Sequence, residues 1–386
     1  MKRLQTLLPL PNLPARRRDL LRAAAASAAG IAFPALAQGK VLKLGSTFDN
    51  SGVEKANGSS LFKGATAHFN AVNKAGGING SKVELVLADD QFKPDVAKAN
   101  ALAFAADASI LGLLTPLGTR QTAAVMGAVT SLAIIGPNTG TAELRKASPP
   151  NLFWIRASYD QEVEKLIRTA STVGITRIAM VHPNDPLGKS VLAAFQKTMA
   201  ALKLEPVAIA TTPGTTSTEV DPAALALAKA APQLVIMALA GVVPLFVKAF
   251  RQAGGSSTLY GLSIGASAAN IAALGEQGRG VGFSIVVPSP FAPKHAIVRH
   301  YQEDMAASGW SDYSLPSLEG YINARVAAEG LRRAGAGVSR DSLIAALDRI
   351  EALDLGGLRI GFGKGNRIGG NFVDVAVIGQ DGRMLS

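Results

Sequence analysis

The sequence predicts an α/β protein of two doubly wound parallel-sheet lobes behind an N-terminal export leader. Three observations carry this. Apolar strand patterns alternate with helical ones along the chain, as in parallel βαβ units. The strand patterns are continuous apolar runs rather than in–out alternation, which marks strands covered on both faces. The βα series runs once, then starts again near residue 178, and 386 residues are enough for two cores. There is no low-complexity tract and no short-period repeat.

The elements follow in order. Residues 16–39 read RRRDLLRAAAASAAGIAFPALAQG. A positive cluster, Arg16 to Arg18, precedes an Ala-rich apolar run, and Ala35-Leu36-Ala37 supplies small residues for a signal peptidase. The run is shorter than the roughly 20 apolar residues a permanent span needs. It is therefore read as a removable signal peptide, residues 1–37, cleaved after Ala37 to leave 349 residues. Arg17-Arg18-Asp19-Leu20-Leu21 resembles the twin-arginine signature. Arg16 stands where that signature usually has Ser or Thr, so the general secretory route also stays open. Either route ends in the periplasm.

In the first series, residues 41–48, 83–87, 110–114 and 132–135 are strand candidates. Residues 63–74, 94–107 and 120–130 are helical, with Gly76-Gly77 ending the first and Pro94 suited to a first turn. In the second series, residues 178–181, 207–210, 234–239 and 259–262 are strands. Residues 187–202 form a helix with Val191, Leu192, Phe195, Met199 and Leu202 on one face, and residues 244–253 another. Beyond these, 280–288 reads as a strand or crossover, 294–307, 315–334 and 339–350 as helices, and 372–378 as a last strand.

Composition narrows the function. The formal charge is +11; the leader's six basic residues less Asp19 account for +5, leaving +6 for the remainder. Those charges are scattered, and aromatics are 5%. A nucleic-acid binder would show a clustered basic stripe with interleaved aromatics, so none is expected as partner. No stretch after the leader is long and apolar enough to span a membrane. Zero Cys excludes disulfides, a thiolate metal site and a Cys nucleophile, and the Cys-based lipid-anchor signature is absent.

In open parallel sheets, ligands sit at the carboxyl ends of strands. Three turns there are small, hydroxylated and glycine-rich. They are 49–52, then 115–119 with Thr115, Leu117, Gly118 and Thr119, then 136–141 with Asn138, Thr139, Gly140 and Thr141. The last two lead into helical patterns, whose first N–H groups favour an anion such as a carboxylate. Ordinary βα turns use the same residue types, so composition leaves both roles open.

The enzyme-like motifs of the chain are incomplete. Gly261-Leu262-Ser263-Ile264-Gly265 fits the nucleophile elbow of a secreted serine hydrolase. Glu276 is the lone acid between Ser263 and the later His295, too near for a triad. Gly188-Lys189-Ser190 has Pro183 where a phosphate loop needs its leading Gly. The four His form no metal-ligand pair. No enzyme activity, cofactor or metal is expected.

Several segments, in order and spacing, resemble the Leu/Ile/Val-binding-protein family, the type I periplasmic solute-binding proteins of ABC transporters. They are Gly76-Gly77-Ile78-Asn79-Gly80, Asp89-Asp90, Ile135-Gly136-Pro137 with Ala142-Glu143-Leu144, Arg177-Ile178-Ala179, Phe250-Arg251-Gln252-Ala253-Gly254 and Glu319-Gly320-Tyr321. The resemblance covers residues 40–386. It implies lobes 40–157 plus 287–355 and 158–286 plus 356–386, joined by three hinge crossovers and closing on a ligand. It implies a monomer that hands an amino acid, of branched-chain type, or another organic acid to an ABC permease in the inner membrane. A ligand-sensing partner of a membrane receptor would use the same cleft.

Carried over by position, turns 115–119 and 138–141 would grip the carboxylate, and the loop from Ser51 to Asn57 would line the cleft. Leu187, Val242 and Ser263 would approach from the second lobe, with Ser317 near the hinge. The family usually has an acid for the substrate ammonium where Ser263 stands, and tyrosines at Leu187 and Val242. Either another acid (Asp49, Asp185 or Glu319) takes that role, or the solute lacks an ammonium.

Overall fold

A computed structural model describes residues 41–363, 365–380 and 382–385. The leader, with its expected cleavage after Ala37, lies outside the described residues. The first sheet takes its strands from one half of the chain. They are β1 (Leu42–Phe48), β2 (Val83–Asp89), β3 (Ile110–Leu114), β4 (Ala133–Ile135) and β5 (Leu152–Phe153), in the order β2-β1-β3-β4-β5 and all parallel. The connecting helices are α1 (Lys55–Lys74), α2 (Pro94–Ala106), α3 (Thr119–Ala128) and the short α4 (Ala142–Lys146).

The second series builds a separate sheet. It contains α5 (Tyr159–Thr172), β6 (Ile178–Pro183), α6 (Pro186–Ala201), β7 (Ile209–Thr212), α7 (Asp221–Ala230), β8 (Leu234–Met237), α8 (Val243–Gln252), β9 (Thr258–Gly261), α9 (Ala268–Leu274) and β10 (Gly282–Ile285). The chain then returns to the first lobe with α10 (Ala296–Ala307), α11 (Leu315–Ala334) and α12 (Arg340–Asp348), a small hairpin β11 (Leu353–Asp354) and β12 (Arg359–Ile360) following. Finally β13 (Asp374–Ile378) and β14 (Met384–Leu385) join the second sheet, ordered β14-β13-β10-β9-β8-β6-β7. β13 alone runs against the others there, so its pairings with β10 and β14 are antiparallel. The fold is thus two parallel α/β lobes, as the apolar strand runs predict. Leu234 to Met237 and Ile178 to Val181 have no exposed side chain, which is why they lack alternation.

Local chemistry fixes the helix starts. Asp185 caps α6 by accepting from Gly188 N–H at 3.2 Å, with Pro186 opening the helix. Ser158 and Gln161 form a capping box on α5, and Ser314 with Ser317 another on α11. The α5 start, Ser-x-x-Gln ahead of an amphipathic run, was legible in the sequence but is missing from the helices read there. Also missing are α7 and α9, which are short and alanine-rich. Helix α1 begins eight residues earlier than its apolar pattern suggests, because Gly58 lets its first turn touch the strand end: a Cβ there would lie 1.8 Å from Asp49 O.

Helices α1 and α11 meet backbone to backbone. A Cβ on Gly64 would come within 1.7 Å of Ser317 O, and one on Gly320 within 2.1 Å of Leu61 O. The last passage between lobes falls later than residue 355. Gly369 N–H donates to Trp154 O at 2.8 Å and the Phe362 ring packs on Phe153 at 5.2 Å, so residues 356–370 stay with the first sheet.

Candidate functional site

The carboxyl ends of ten parallel strands, from two sheets, converge on one cleft of about 340 Å³. Glu54 and Asn57 follow β1, Phe92 follows β2, Leu117 to Gln121 follow β3, Asn138 follows β4 and Arg156 follows β5. From the second sheet come the segments after β6 (184–187), β7 (213–216), β8 (Ala240), β9 (Ser263 and Ile264) and β10 (Val286). The first turn of α11, Leu315 and Pro316 with Glu319, completes the wall. This is where an open α/β sheet places a ligand, and the volume suits a small organic molecule.

At its floor lies a buried charge network. Arg156, on the connection from β5 to α5, sends Nη2 to Glu162 Oε1 at 2.9 Å and to Ser263 Oγ at 2.5 Å. Its Nη1 reaches Glu319 Oε1 at only 3.4 Å. Glu162 is further held by Ser263 N–H at 2.9 Å and Ser284 Oγ at 2.7 Å. One guanidinium therefore ties the second lobe, through Glu162 and Ser263, to α11 of the first. Burial pushes the Glu319 carboxyl above the usual carboxylate range, against the opposing pull of Arg156.

Glu54 is the second buried acid of the cleft. Burial pushes its carboxyl up to about 7, although the Asn57 amide at 2.6 Å and Gly241 N–H at 3.2 Å both donate to it; Asp49 adds repulsion. Gly241 belongs to the second lobe, so this hydrogen bond crosses the cleft. Ala142 N–H to Ser190 Oγ, 3.3 Å, crosses it too.

Of the residues singled out in the sequence, Asn57, Leu117, Gly118, Thr119, Asn138, Leu187 and Ser263 line the cleft. Thr119 Oγ1 bonds Thr139 Oγ1 at 2.8 Å and Thr141 Oγ1 at 3.0 Å, which leaves the latter two hydroxyls buried behind it. Gly140 packs on Tyr159, whose N–H donates to its carbonyl at 2.8 Å. Four residues are placed elsewhere. Ser51 caps Asp89 on the surface at 2.5 Å, because the loop turns outward before Glu54. Thr115, at a φ of 55°, is buried under Asn323, which donates to it at 3.0 Å. Val242 is buried as the cap residue of α8. Ser317 Oγ lies inside the α11 cap, 2.5 Å from Tyr301 OH.

Arg156 and Glu54 are the main residues that sequence reasoning passed over. Arg156 follows a strand only two residues long, Leu152–Phe153, too short to read as a strand end. Glu54 sits inside the 51–57 loop that was expected in the cleft. Among the acids considered for an ammonium, Asp49 accepts from the backbone N–H groups of Ser51, Gly52 and Glu54, and Asp185 from Gly188 and Thr215. Glu319 takes the Arg156 contact and a hydrogen bond from the Asn138 side chain.

The elbow-like Ser263 has a guanidinium, not an imidazole, on its Oγ, and an arginine cannot serve as its base. His182 Nδ1 faces the Pro183 carbonyl, and His295 lies against Gly357. Among the described residues no group of three or more His, Cys, Asp or Glu is placed to hold a metal ion, and no helix is long and apolar enough to cross a membrane.

The chain belongs to the periplasmic binding protein family, whose model matches residues 41–383. A curated amino acid binding protein of Pseudomonas aeruginosa is 26% identical over 195 residues, 50% of this chain and 51% of that protein, so the chain aligns with about half the length of this relative. A substrate-binding periplasmic protein from Ralstonia solanacearum is 29% identical, with TM-score 0.82, over 89% of this chain and 99% of that one. An extracellular ligand-binding receptor from Verminephrobacter eiseniae is 26% identical, with TM-score 0.82, over 91% and 100%. The family binds solutes and is not an enzyme family.

Proposed function

We propose that this protein is the periplasmic solute-binding component of an ABC importer and takes an amino acid, or a related small carboxylate, between its lobes. The observation that carries the reading is the convergence of ten strand ends from two sheets on a single cleft. The likeness to the amino acid binding protein of Pseudomonas aeruginosa supports the solute class. Leu117, Gly118, Thr119 and Asn138 stand where the first turn of α3 opens on the cleft, and its free N–H groups and positive dipole end suit a carboxylate. Leu187, Ile264 and Phe92 supply an apolar wall for the solute's body. The lobes close about the crossovers, and ligand shifts the open–closed balance through contacts to both. The closed form then meets a permease as a monomer.

Thermal-shift screening of the chain from Gln38 onward, against amino acids, aliphatic acids and aromatic acids, tests this. A solute at about 100 times its Kd adds about 2.7 kcal/mol to stability. If none of the three sets raises the melting point, the solute-binding reading fails.

A further inference from the structure

We propose that closing the lobes takes up a proton at Glu54, so that the closed form gains on the open one as pH falls. This rests on the hinged solute-binding reading and adds to it a dependence on pH.

The place of the carboxyl at the seam between lobes is the first argument. Glu54 ends the loop after β1 in the first lobe, and its Oε1 accepts from Gly241 N–H of the second lobe at 3.2 Å. Gly241 has no side chain to hold the two apart: a Cβ there would lie 3.1 Å from the same Oε1. Asn270 fixes this cover to the second lobe, its amide donating to Ala240 O at 3.0 Å and Gly265 O at 2.9 Å. Beneath it Glu54 is 6% exposed, although Val53 beside it is 64% exposed. Opening the lobes lifts residues 240–242 away and returns the carboxyl to water.

The second argument is the set of partners, which suits the protonated acid. Residues 240–242 bring no charge, and Asp49 on the same loop repels. Arg120, Arg156, Asp185 and Glu319 line the same cleft and Lys55 follows on α1, but none of these is among its hydrogen-bond partners within the described residues. The remaining partner, the Asn57 amide, meets Oε2 at 2.6 Å. That is below the usual N–H···O range and ordinary for O–H···O. With the amide turned by 180°, a protonated Glu54 donates to Asn57 while still accepting from Gly241. Burial under the second lobe pushes the carboxyl up to about 7, and lifting the cover returns it toward its ordinary 4.5. Between those values the closed form holds a proton that the open form has released. The closed share is therefore greatest below this window and falls as pH rises through about 7. Any solute that selects the closed form then binds more weakly above the window than below it.

The test needs no ligand. The chain has no Cys, so Lys98→Cys on α2 and Lys229→Cys on α7, both exposed, place one spin label on each lobe. Distances between the labels are measured by pulsed electron resonance on the ligand-free chain from Gln38 onward, at pH 5.5 and pH 8, with Glu54 and with Glu54→Gln. With Glu54, the ratio of closed to open lobes is expected to be about tenfold or more higher at pH 5.5 than at pH 8. Glu54→Gln, neutral at both, should hold one ratio at the two pH values. Equal ratios with Glu54 present, or a change with pH that Glu54→Gln keeps, overturn the inference and leave the solute-binding reading to the thermal-shift panel. A distance that neither pH nor any solute of that panel alters overturns both.

Discussion

Glu54→Gln separates acids kept for a ligand from acids kept for stability. Glu54 is 6% exposed, and its carboxyl rises from 4.5 to about 7, first through burial and then through Asp49, with Asn57 and Gly241 opposing. At 1.36 kcal/mol per pH unit of displacement, ionising it in the folded state costs about 3 kcal/mol. Between pH 4.5 and about 7 the folded chain holds a proton that the unfolded chain has released. Stability therefore falls as pH rises through that window, and the loss is complete above it. Gln copies the protonated acid and still accepts from Gly241. The variant should match the wild type near pH 4 and exceed it by about 3 kcal/mol at pH 8. With an unfolding entropy of about 2.1 cal/mol/K per residue over some 350 residues, that is about 4 °C in melting temperature. Differential scanning calorimetry of ligand-free protein at pH 4, 6 and 8 reads it directly. A stability difference that is absent at pH 8, or that does not change with pH, refutes the reasoning that burial dominates this carboxyl.

Two further outcomes follow from the packing. Arg156→Met strands Glu162, whose side chain is fully buried, without its cation; removing one partner of a buried pair costs about 3–5 kcal/mol, to be measured by urea unfolding. Gly320→Ala places a Cβ 2.1 Å from Leu61 O, so α11 must lift from α1 or bend; a loss of about 3 kcal/mol or more is expected in the same assay.

The sequence made the architecture legible because parallel strands covered on both faces leave short uninterrupted apolar runs, such as LVIM at 234–237, set between helical patterns. It located cleft loops by the strand-end rule, and seven of the fourteen residues chosen line the cleft. Of the rest, four lie elsewhere and three stand behind the cleft wall. Thr139 and Thr141 stand on the correct turn, but the inward or outward aim of a side chain depends on local φ and ψ, which a pattern of small hydroxylated residues does not encode. The Arg156 network was invisible for another reason. Its members, at 156, 162, 263, 284 and 319, are brought together only by the crossovers between lobes. The close approach of α1 and α11 was hidden likewise, since Gly64 and Gly320 gain meaning from backbones 256 positions apart.

The placement of charge also bears on how closure is driven. Contacts that cross directly between lobe faces, Glu54 to Gly241 and Ala142 to Ser190, are single hydrogen bonds of 3.2 and 3.3 Å. Each is worth about 1 kcal/mol net, too little to hold the cleft shut by itself. Arg156, in contrast, lies on a crossover, where its bonds to Glu162 and Ser263 can persist through a hinge motion. Glu162 and Ser263 sit on the second lobe and Glu319 on the first, so the long 3.4 Å contact to Glu319 is the member of the network that lobe motion stretches. A solute held at the first turn of α3 would at the same time reach Leu187 and Ile264 across the cleft. The differential affinity for the closed state then arises from one solute touching both lobes at once, which is the condition for a ligand to shift the balance.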